Sequence, residues 1–335
     1  MTTAVVRALG ALAHDAAHPP TGAEAPCTCP APTVLADRAD GTVVRSGPVV
    51  AKAHAPDTDT TALAARLALA ASPALTGILL PPVPRPTGPA GPDAPNATVH
   101  GRSVTLWPHG EPVDPADPDA APWEEAAVLL ARLHRTAPPT PPRAVRRAFP
   151  AMRGPAKAAL AVARMCRARP GDPATAPVRE AWRRLPAWAR DEDVAPPNRS
   201  RFLCHGDLHL GQLVRHPAPH GPWLLIDVDD LGLGDPAWDL ARPAAWYAAG
   251  LLSPDVWLRF LDAYRAAGGP AVRADGDPWP DLDVPARALT VQTAALAFAK
   301  SAAEGRTPDE VEQMMIDACA RIASLPHELA AEHSS

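Results

Sequence analysis

The chain has 335 residues, with 32 Lys or Arg and 37 Asp or Glu, so its formal net charge is −5. This length allows two domains or lobes, and the acidic balance argues against nucleic acid, which favours a basic partner surface. Five scattered cysteines do not indicate a disulfide framework. No apolar stretch predicts a membrane span, and no secretory leader is recognisable, so we expect a cytoplasmic protein.

The first third of the chain predicts a helix, a Pro-rich segment and a set of short strands. Asp40-Gly41 is a strong hairpin signal between the first two strands, and Pro108 cannot continue the last one. The expected elements are, in chain order, a helix at 3–14, strands at 33–36, 41–45 and 48–54, a helix at 57–71, and strands at 77–80 and 101–107.

Beyond Pro108 the pattern is mostly helical. The expected helices lie at 122–134 and near 145–168, 174–190, 236–249, 255–267, 285–303 and 308–323, with short strands at 201–204 and 223–228. We therefore expect an α+β fold in three segments, which are an N-terminal helix with a Pro-rich stretch (1–30), a β-rich N-lobe (31–108) and a helical C-lobe (109–335).

Residues 203–229 carry the pattern with the clearest chemistry. Asp207 follows His-Gly, Gln212 comes five residues later, and Asp227 ends the apolar run 224–226. On a kinase fold, phosphoryl transfer needs one carboxylate for the attacking hydroxyl, and an amide oxygen with a second carboxylate for magnesium. Asp207 alone would more often be a turn former. A carboxylate at the end of a buried strand, however, is costly unless it is paired or metal-bound.

Several neighbouring residues receive supporting roles. Side-chain alternation puts Asp229 on the same face as Asp227, as a second metal ligand or an acceptor-site anion. His205 is expected to brace the loop by hydrogen bonding, and Asp239 to brace it or to cap backbone groups. Lys52 ends an apolar strand and would face the α- and β-phosphates of a nucleotide.

These motifs together resemble the aminoglycoside phosphotransferase and choline kinase superfamily. The residues that carry the resemblance are His205-Gly206-Asp207 with Gln212, 226–229 and 234–241, and the form His-Gly-Asp-x-His-Leu-Gly-Gln is similar to that of maltokinases and glucosamine kinases. Weaker similarity extends to an ATP-binding strand at 50–52, a hinge strand at 104–108 and the first long C-lobe helix at 130–134. The resemblance spans roughly 33–325.

The resemblance implies a bilobal, protein-kinase-like fold that binds ATP or GTP and Mg²⁺. Lys52, Leu106 and Trp107 would contact the nucleotide, while Gln212 and Asp227, with Asp229, would hold the metal. Asp207 would be the catalytic residue, and the acceptor would be a hydroxyl of a small molecule. The resemblance leaves the oligomeric state open.

The chain departs from the family pattern in three places. Gln212 replaces the usual asparagine, and the phosphate loop around 39–42 has a single glycine. The helix after Lys52 has no glutamate to pair with the lysine; Arg66 lies near the expected position, and Asp57 or Asp59 are candidate substitutes.

A separate cluster, His14, His18, Cys27 and Cys29, is a weak candidate for a zinc site. Histidines at i and i+4 share a helix face, but the Cys-x-Cys spacing is tighter than usual. Surface histidines and a thiol-containing turn are the simpler interpretation.

Three functions remain open on the sequence. The first is an ATP-dependent phosphotransferase that acts on a small-molecule hydroxyl, such as an aminoglycoside or amino sugar, with Asp229, Asp230 and Glu304 available to bind a cationic acceptor. The second is a kinase of Ser or Thr hydroxyls in a natural-product precursor peptide. The third is an inactive kinase-fold scaffold, which the poor phosphate loop and the missing glutamate motivate.

Overall fold

The computed structural model describes residues 3–18, 30–38, 41–83, 97–117, 120–138, 149–194 and 201–325. Its helices are α1 (Thr3–Ala17), α2 (Thr60–Ala70), α3 (Trp123–Arg135), α4 (Gly154–Ala168), α5 (Ala176–Arg183), α6 (Ala237–Ala249), α7 (Pro254–Ala266), α8 (Trp279–Glu304) and α9 (Glu310–Ser324). Its strands are β1 (Thr33–Asp37), β2 (Thr42–Ser46), β3 (Val49–Ala53), β4 (Ala97–Val99), β5 (Arg102–Pro108), β6 (Glu111–Pro112), β7 (Phe202–Cys204), β8 (Leu213–Arg215), β9 (Trp223–Leu225) and β10 (Gly232–Gly234).

The chain forms two compact units. The first contains Met1–Ala121, Pro141–Pro150 and Gly211–Asp229, and the second contains Pro122–Thr140, Ala151–Leu210 and Asp230–Ser335. This division differs from the expected boundary at residue 108, because the β8–β9 hairpin pairs with β6 and forms a bridge to Leu79. Those contacts attach a segment expected in the C-lobe to the first unit.

The first unit is built on an antiparallel sheet in the order β1-β2-β3-β5-β4. Helix α1 covers one face, where Leu9 is fully buried in a core that includes Val44, Ala51 and Leu106. Because successive side chains of a strand point to opposite faces, Lys52 between Ala51 and Ala53 lies on the other face. The helix and the three β-runs expected from the sequence are confirmed here.

Two expected strands that lie in the first unit are shorter than predicted. The run 77–80 contributes one bridge, from Leu79 to Leu225. Strand β9 ends at Leu225 and not at Val228, because Asp227 adopts a left-handed backbone with φ of 69°, which does not fit a strand.

The second unit is mainly helical, as expected. Helix α8 begins at Trp279, six residues before the predicted start, and contains Pro285 within it. The expected helix 174–190 is α5 followed by a separate 3₁₀ turn at Ala187–Arg190. Pro186 accounts for the break, since proline disfavours helical geometry in the residue before it. No helix among these described residues, or in the described part of the first unit, is long and apolar enough to cross a membrane.

Candidate active site

Lys52 lies between two carboxylates of the first unit. Its Nζ is 2.7 Å from Asp227 Oδ1 and 3.0 Å from Asp229 Oδ2. Burial by itself would lower the pKa of Lys52, but the charges and hydrogen bonds of Asp227 and Asp229 raise it well above its ordinary value. The lysine is therefore a fixed cation that joins the two acidic residues.

A turn, and not strand alternation, brings Asp227 and Asp229 to the same side. The Asp229 backbone N–H donates to Asp227 Oδ1 at 3.1 Å, and Asp227 has the left-handed backbone that Asp tolerates better than most residues. The expectation that both carboxylates share one side is met, but the reason given for it from the sequence is wrong.

Gln212 lies beside this turn. Its backbone carbonyl accepts a hydrogen bond from Ile226 N–H at 2.9 Å, and β8, which it precedes, pairs with β9 through Leu213 and Leu225. Gln212 and Asp227 thus flank the same end of one hairpin. An amide oxygen with a carboxylate is a hard oxygen donor set, which fits Mg²⁺.

The structure resolves how Lys52 is paired without a helix glutamate. Helix α2 has no acidic residue, and Asp59 is its N-cap, accepting the N–H groups of Thr61 and Ala62. Asp57 is exposed. The suggestion that Asp57 or Asp59 replaces the glutamate is therefore wrong, since the partners of Lys52 are Asp227 and Asp229.

His54 and Thr105 belong to this site and were missed by the sequence analysis. The buried His54 ring contacts Asp229 Oδ1 through Nδ1 at 2.7 Å and Thr105 Oγ1 through Nε2 at 2.8 Å. Trp107 Nε1 also donates to Thr105 Oγ1, at 2.8 Å. The available signal was the spacing: His54 lies two residues after Lys52, and β5 pairs Thr105 with Lys52.

The two β5 residues expected at the nucleotide lie on opposite faces of the sheet. Trp107 lies on the same face as Lys52: Thr105 is paired with Lys52 and accepts a hydrogen bond from Trp107. The Leu106 side chain is part of the core beneath α1, because it is paired with Ala51 and points away from Lys52. With its side chain in the core, Leu106 would contact the nucleotide through its backbone, and its role at the nucleotide stays a prediction.

In the second unit, Asp207 lies just after β7 between two cations. Its Oδ2 is 3.2 Å from Lys157 Nζ, and its Oδ1 accepts from Arg242 Nη2 at 2.9 Å. Burial alone would raise the pKa of Asp207, but Lys157 and Arg242 lower it to about 2. Asp207 is therefore ionised at any physiological pH.

Lys157 and Arg242 were also missed by the sequence analysis. A pocket of about 20 Å³ beside Asp207 includes both cations in its lining, with Trp238 and Leu289 as apolar walls. A signal existed for Lys157: the sequence contains only three lysines among its 32 basic residues, and the argument from rarity that selected Lys52 applies equally to Lys157.

The loop that carries Asp207 is fixed by the buried Asp239. Its Oδ2 accepts the N–H of His205 at 2.6 Å and its Oδ1 accepts the N–H of Gly206 at 2.7 Å, so its contacts are those of a bracing residue. His134 bridges Asp239 Oδ2 and the Tyr264 hydroxyl. Although burial opposes it, the hydrogen bond from His134 lowers the pKa of Asp239.

The three carboxylates considered for a cationic acceptor are each paired with cations of their own unit. Asp229 contacts Lys52 and His54. Asp230 contacts Lys157 at 2.8 Å and Arg153 at 3.9 Å, while Glu304 contacts Arg306. These contacts reduce the negative charge expected to attract a polycation but do not cancel it, because Lys52 and Arg306 are each shared by two carboxylates.

Neither metal cluster outside the kinase motifs gains support. The His14 and His18 rings are 4.7 Å apart, while Cys27 and Cys29 lie outside the described residues, as do Ala39 and Asp40 of the phosphate loop. His134, Cys204 and Asp239 converge within 4.8 Å. The histidine and aspartate there are joined by their own hydrogen bonds, and burial raises the pKa of the Cys204 thiol.

The fold matches solved kinase-like structures over nearly the whole chain. A choline/ethanolamine kinase family protein from Mesorhizobium loti is 15% identical, with a TM-score of 0.53 and coverage of 96% of this chain and 97% of that chain. A thermostable mutant of aminoglycoside phosphotransferase APH(4)-Ia with AMP-PNP and hygromycin B is 14% identical (TM-score 0.54, 88% and 94% covered). Spectinomycin phosphotransferase APH(9)-Ia with ADP and spectinomycin is 13% identical (TM-score 0.52, 91% and 94% covered).

These likenesses confirm the predicted α+β, protein-kinase-like fold. No curated protein matches the sequence significantly. The family model for the phosphotransferase enzyme family matches residues 33–282, which confirms the resemblance drawn from the motifs. The chain therefore belongs to the phosphotransferase enzyme family.

Proposed function

We propose that this phosphotransferase moves the γ-phosphate of ATP to a hydroxyl of a small molecule, such as an amino sugar or a related metabolite. The observation that carries the proposal is the contact of Lys52 with Asp227 at 2.7 Å. A kinase active site needs the strand lysine and the metal-binding carboxylate together. Nucleotides bound to family structures of the same fold support ATP as the donor.

Each residue has a distinct part in this proposal. Lys52 binds the nucleotide phosphates, and Gln212 and Asp227 hold Mg²⁺, which supplies positive charge to the γ-phosphate when it is bound. With a pKa near 2, Asp207 is a weak base. Asp207 therefore orients the hydroxyl and stabilises its departing proton, while the new O–P bond forms and the bond to the β–γ bridging oxygen breaks.

The charge distribution favours an acceptor with little positive charge. Asp230 is paired with Lys157, and the same lysine and Arg242 contact Asp207. A polycation would have to displace these ion pairs, whereas an uncharged or singly charged sugar would not. This reasoning favours an amino sugar or a neutral metabolite over a polycationic aminoglycoside.

One of the two observations that favoured an inactive scaffold no longer supports it. The absent helix glutamate suggested that Lys52 has no partner, but Asp227 and Asp229 contact it. The peptide-kinase alternative uses the same catalytic groups, so only the acceptor distinguishes it.

The test is a transfer assay with γ-labelled ATP and Mg²⁺ against acceptors of different charge. We expect turnover of glucosamine or N-acetylglucosamine at a rate at least about tenfold above that of kanamycin, because each tenfold difference needs only about 1.4 kcal/mol of discrimination. Preferred labelling of a Ser-containing peptide would support the alternative. Preferred labelling of kanamycin would contradict the charge argument.

A further inference from the structure

A continuous polar chain runs through the first unit from Trp107 to Lys52. Trp107 Nε1 and Thr105 Oγ1 are 2.8 Å apart, and Thr105 Oγ1 and His54 Nε2 are also 2.8 Å apart. His54 Nδ1 lies 2.7 Å from Asp229 Oδ1, and Asp229 Oδ2 lies 3.0 Å from Lys52 Nζ. These five residues are the Lys52 relay.

The relay has one consistent pattern of donors and acceptors. Trp107 is only a donor, so Thr105 oxygen accepts from it and its hydroxyl hydrogen is available for His54 Nε2. A neutral His54 then carries its proton on Nδ1 and donates it to Asp229. This tautomer, assigned from the hydrogen bonds, leaves both Asp229 oxygens occupied, one by His54 and one by Lys52.

Burial holds the side chains of the relay in a single arrangement. His54 and Thr105 are fully buried and Trp107 is 8% exposed. Buried polar groups are costly when unpaired, and networks of them hold a single arrangement. Both oxygens of Asp229 are engaged in the network, so the carboxylate has a fixed orientation towards Lys52.

We propose that His54 and Asp229 replace the missing helix glutamate and position Lys52 for the nucleotide. The inference rests on the proposed function, because it assumes that Lys52 binds nucleotide phosphates. Asp229 is then a positioning residue and not a metal ligand. Thr105 extends the support to Trp107 on the same face.

Nucleotide affinity with and without metal separates these roles. Calorimetry would measure ADP and AMP-PNP binding to Asp229→Asn, His54→Phe and Thr105→Val, each in EDTA and in Mg²⁺. We expect about tenfold weaker binding for the first two and a smaller loss for the third, with the same ratio in both conditions. Thr105→Ser, which keeps the hydroxyl, should restore wild-type affinity.

A matched control excludes a general loss of stability. Val44→Ala opens the core under α1, on the face opposite Lys52, and should lower the melting temperature while leaving nucleotide affinity unchanged. A loss for Asp229→Asn that appears only in Mg²⁺ would make Asp229 a metal ligand and overturn the relay. Wild-type affinity in both Asp229→Asn and His54→Phe would also overturn it. Wild-type protein that binds neither nucleotide would instead refute the proposed function, and the premise of the relay with it.

Discussion

Two of the three lysines contact the carboxylates to which we assign the chemistry. Lys52 contacts Asp227 and Asp229, and Lys157 contacts Asp207 and Asp230. In each cluster the lysine bridges two acidic side chains that would otherwise repel each other. The third lysine, Lys300, is exposed on α8, which makes it a natural control for substitutions of the other two.

Replacing Lys157 should change the ionisation of Asp207. In Lys157→Met we expect the pKa of Asp207 to rise from about 2 towards the ordinary carboxyl value, because one of its two contacting cations is removed. Carbon-13 NMR titration of labelled aspartate carboxyl groups measures this. Lys300→Met should leave the Asp207 pKa unchanged, and an unchanged pKa in Lys157→Met would contradict the account.

The stability of the protein should depend on Asp207 only when it is ionised. Its folded pKa of about 2 lies below the value of about 3.9 in an unfolded chain. The contribution of ionised Asp207 to the free energy of unfolding is therefore fully present above about pH 4 and is lost as pH falls towards 2. Urea unfolding of the wild type and Asp207→Asn should show a constant stability difference from pH 5 to 7 that shrinks below pH 4. A difference that grows on acidification would contradict this sign.

The loop after β7 depends on a glycine. Gly206 has φ of 83°, and a Cβ there would collide with the backbone carbonyl of Asp230 in the same unit. Its N–H donates to Asp239, which holds the loop that carries Asp207. Both the conformation and the close approach require glycine at this position.

Gly206→Ala should lower the free energy of unfolding by at least about 2 kcal/mol, because backbone strain and a backbone clash both destabilise the folded protein. It should also abolish phosphate transfer. Gly101→Ala is the matched control: φ is 76°, but no atom lies within 4 Å of the added Cβ. We expect it to lose only about 1 kcal/mol and to retain transfer. Denaturant unfolding and the labelled-ATP assay measure the two effects, and equal losses would refute the role assigned to the Asp230 contact.

The sequence predicted most long elements because their apolar periodicity and caps are local. It missed β10, whose sequence Gly-Leu-Gly has little strand propensity but pairs with β7. It missed β8 and β6 because strands of two or three residues depend on their partners. The ends of β9 and α5 were wrong where one residue, Asp227 or Pro186, changes the backbone geometry.

Each of the two compact units contains residues from the kinase motifs. The first unit holds Lys52, Gln212, Asp227 and Asp229, and the second holds His205, Asp207 and Asp239. Contiguous motifs revealed these residues because a short segment carries several of them. Four further residues contact the motif residues only in the folded protein: His54, Thr105, Lys157 and Arg242. Signals from single residues, such as a rare lysine, are too weak to predict such contacts.

The most direct test of the whole account is γ-phosphate transfer by the wild type and Asp207→Ala under identical conditions. We expect transfer to an acceptor hydroxyl by the wild type and a loss of at least about 100-fold in the variant, with unchanged AMP-PNP affinity and a cooperative unfolding transition. The loss follows from removing the group that orients the hydroxyl. Near-normal turnover in Asp207→Ala, with the fold intact, would contradict the account.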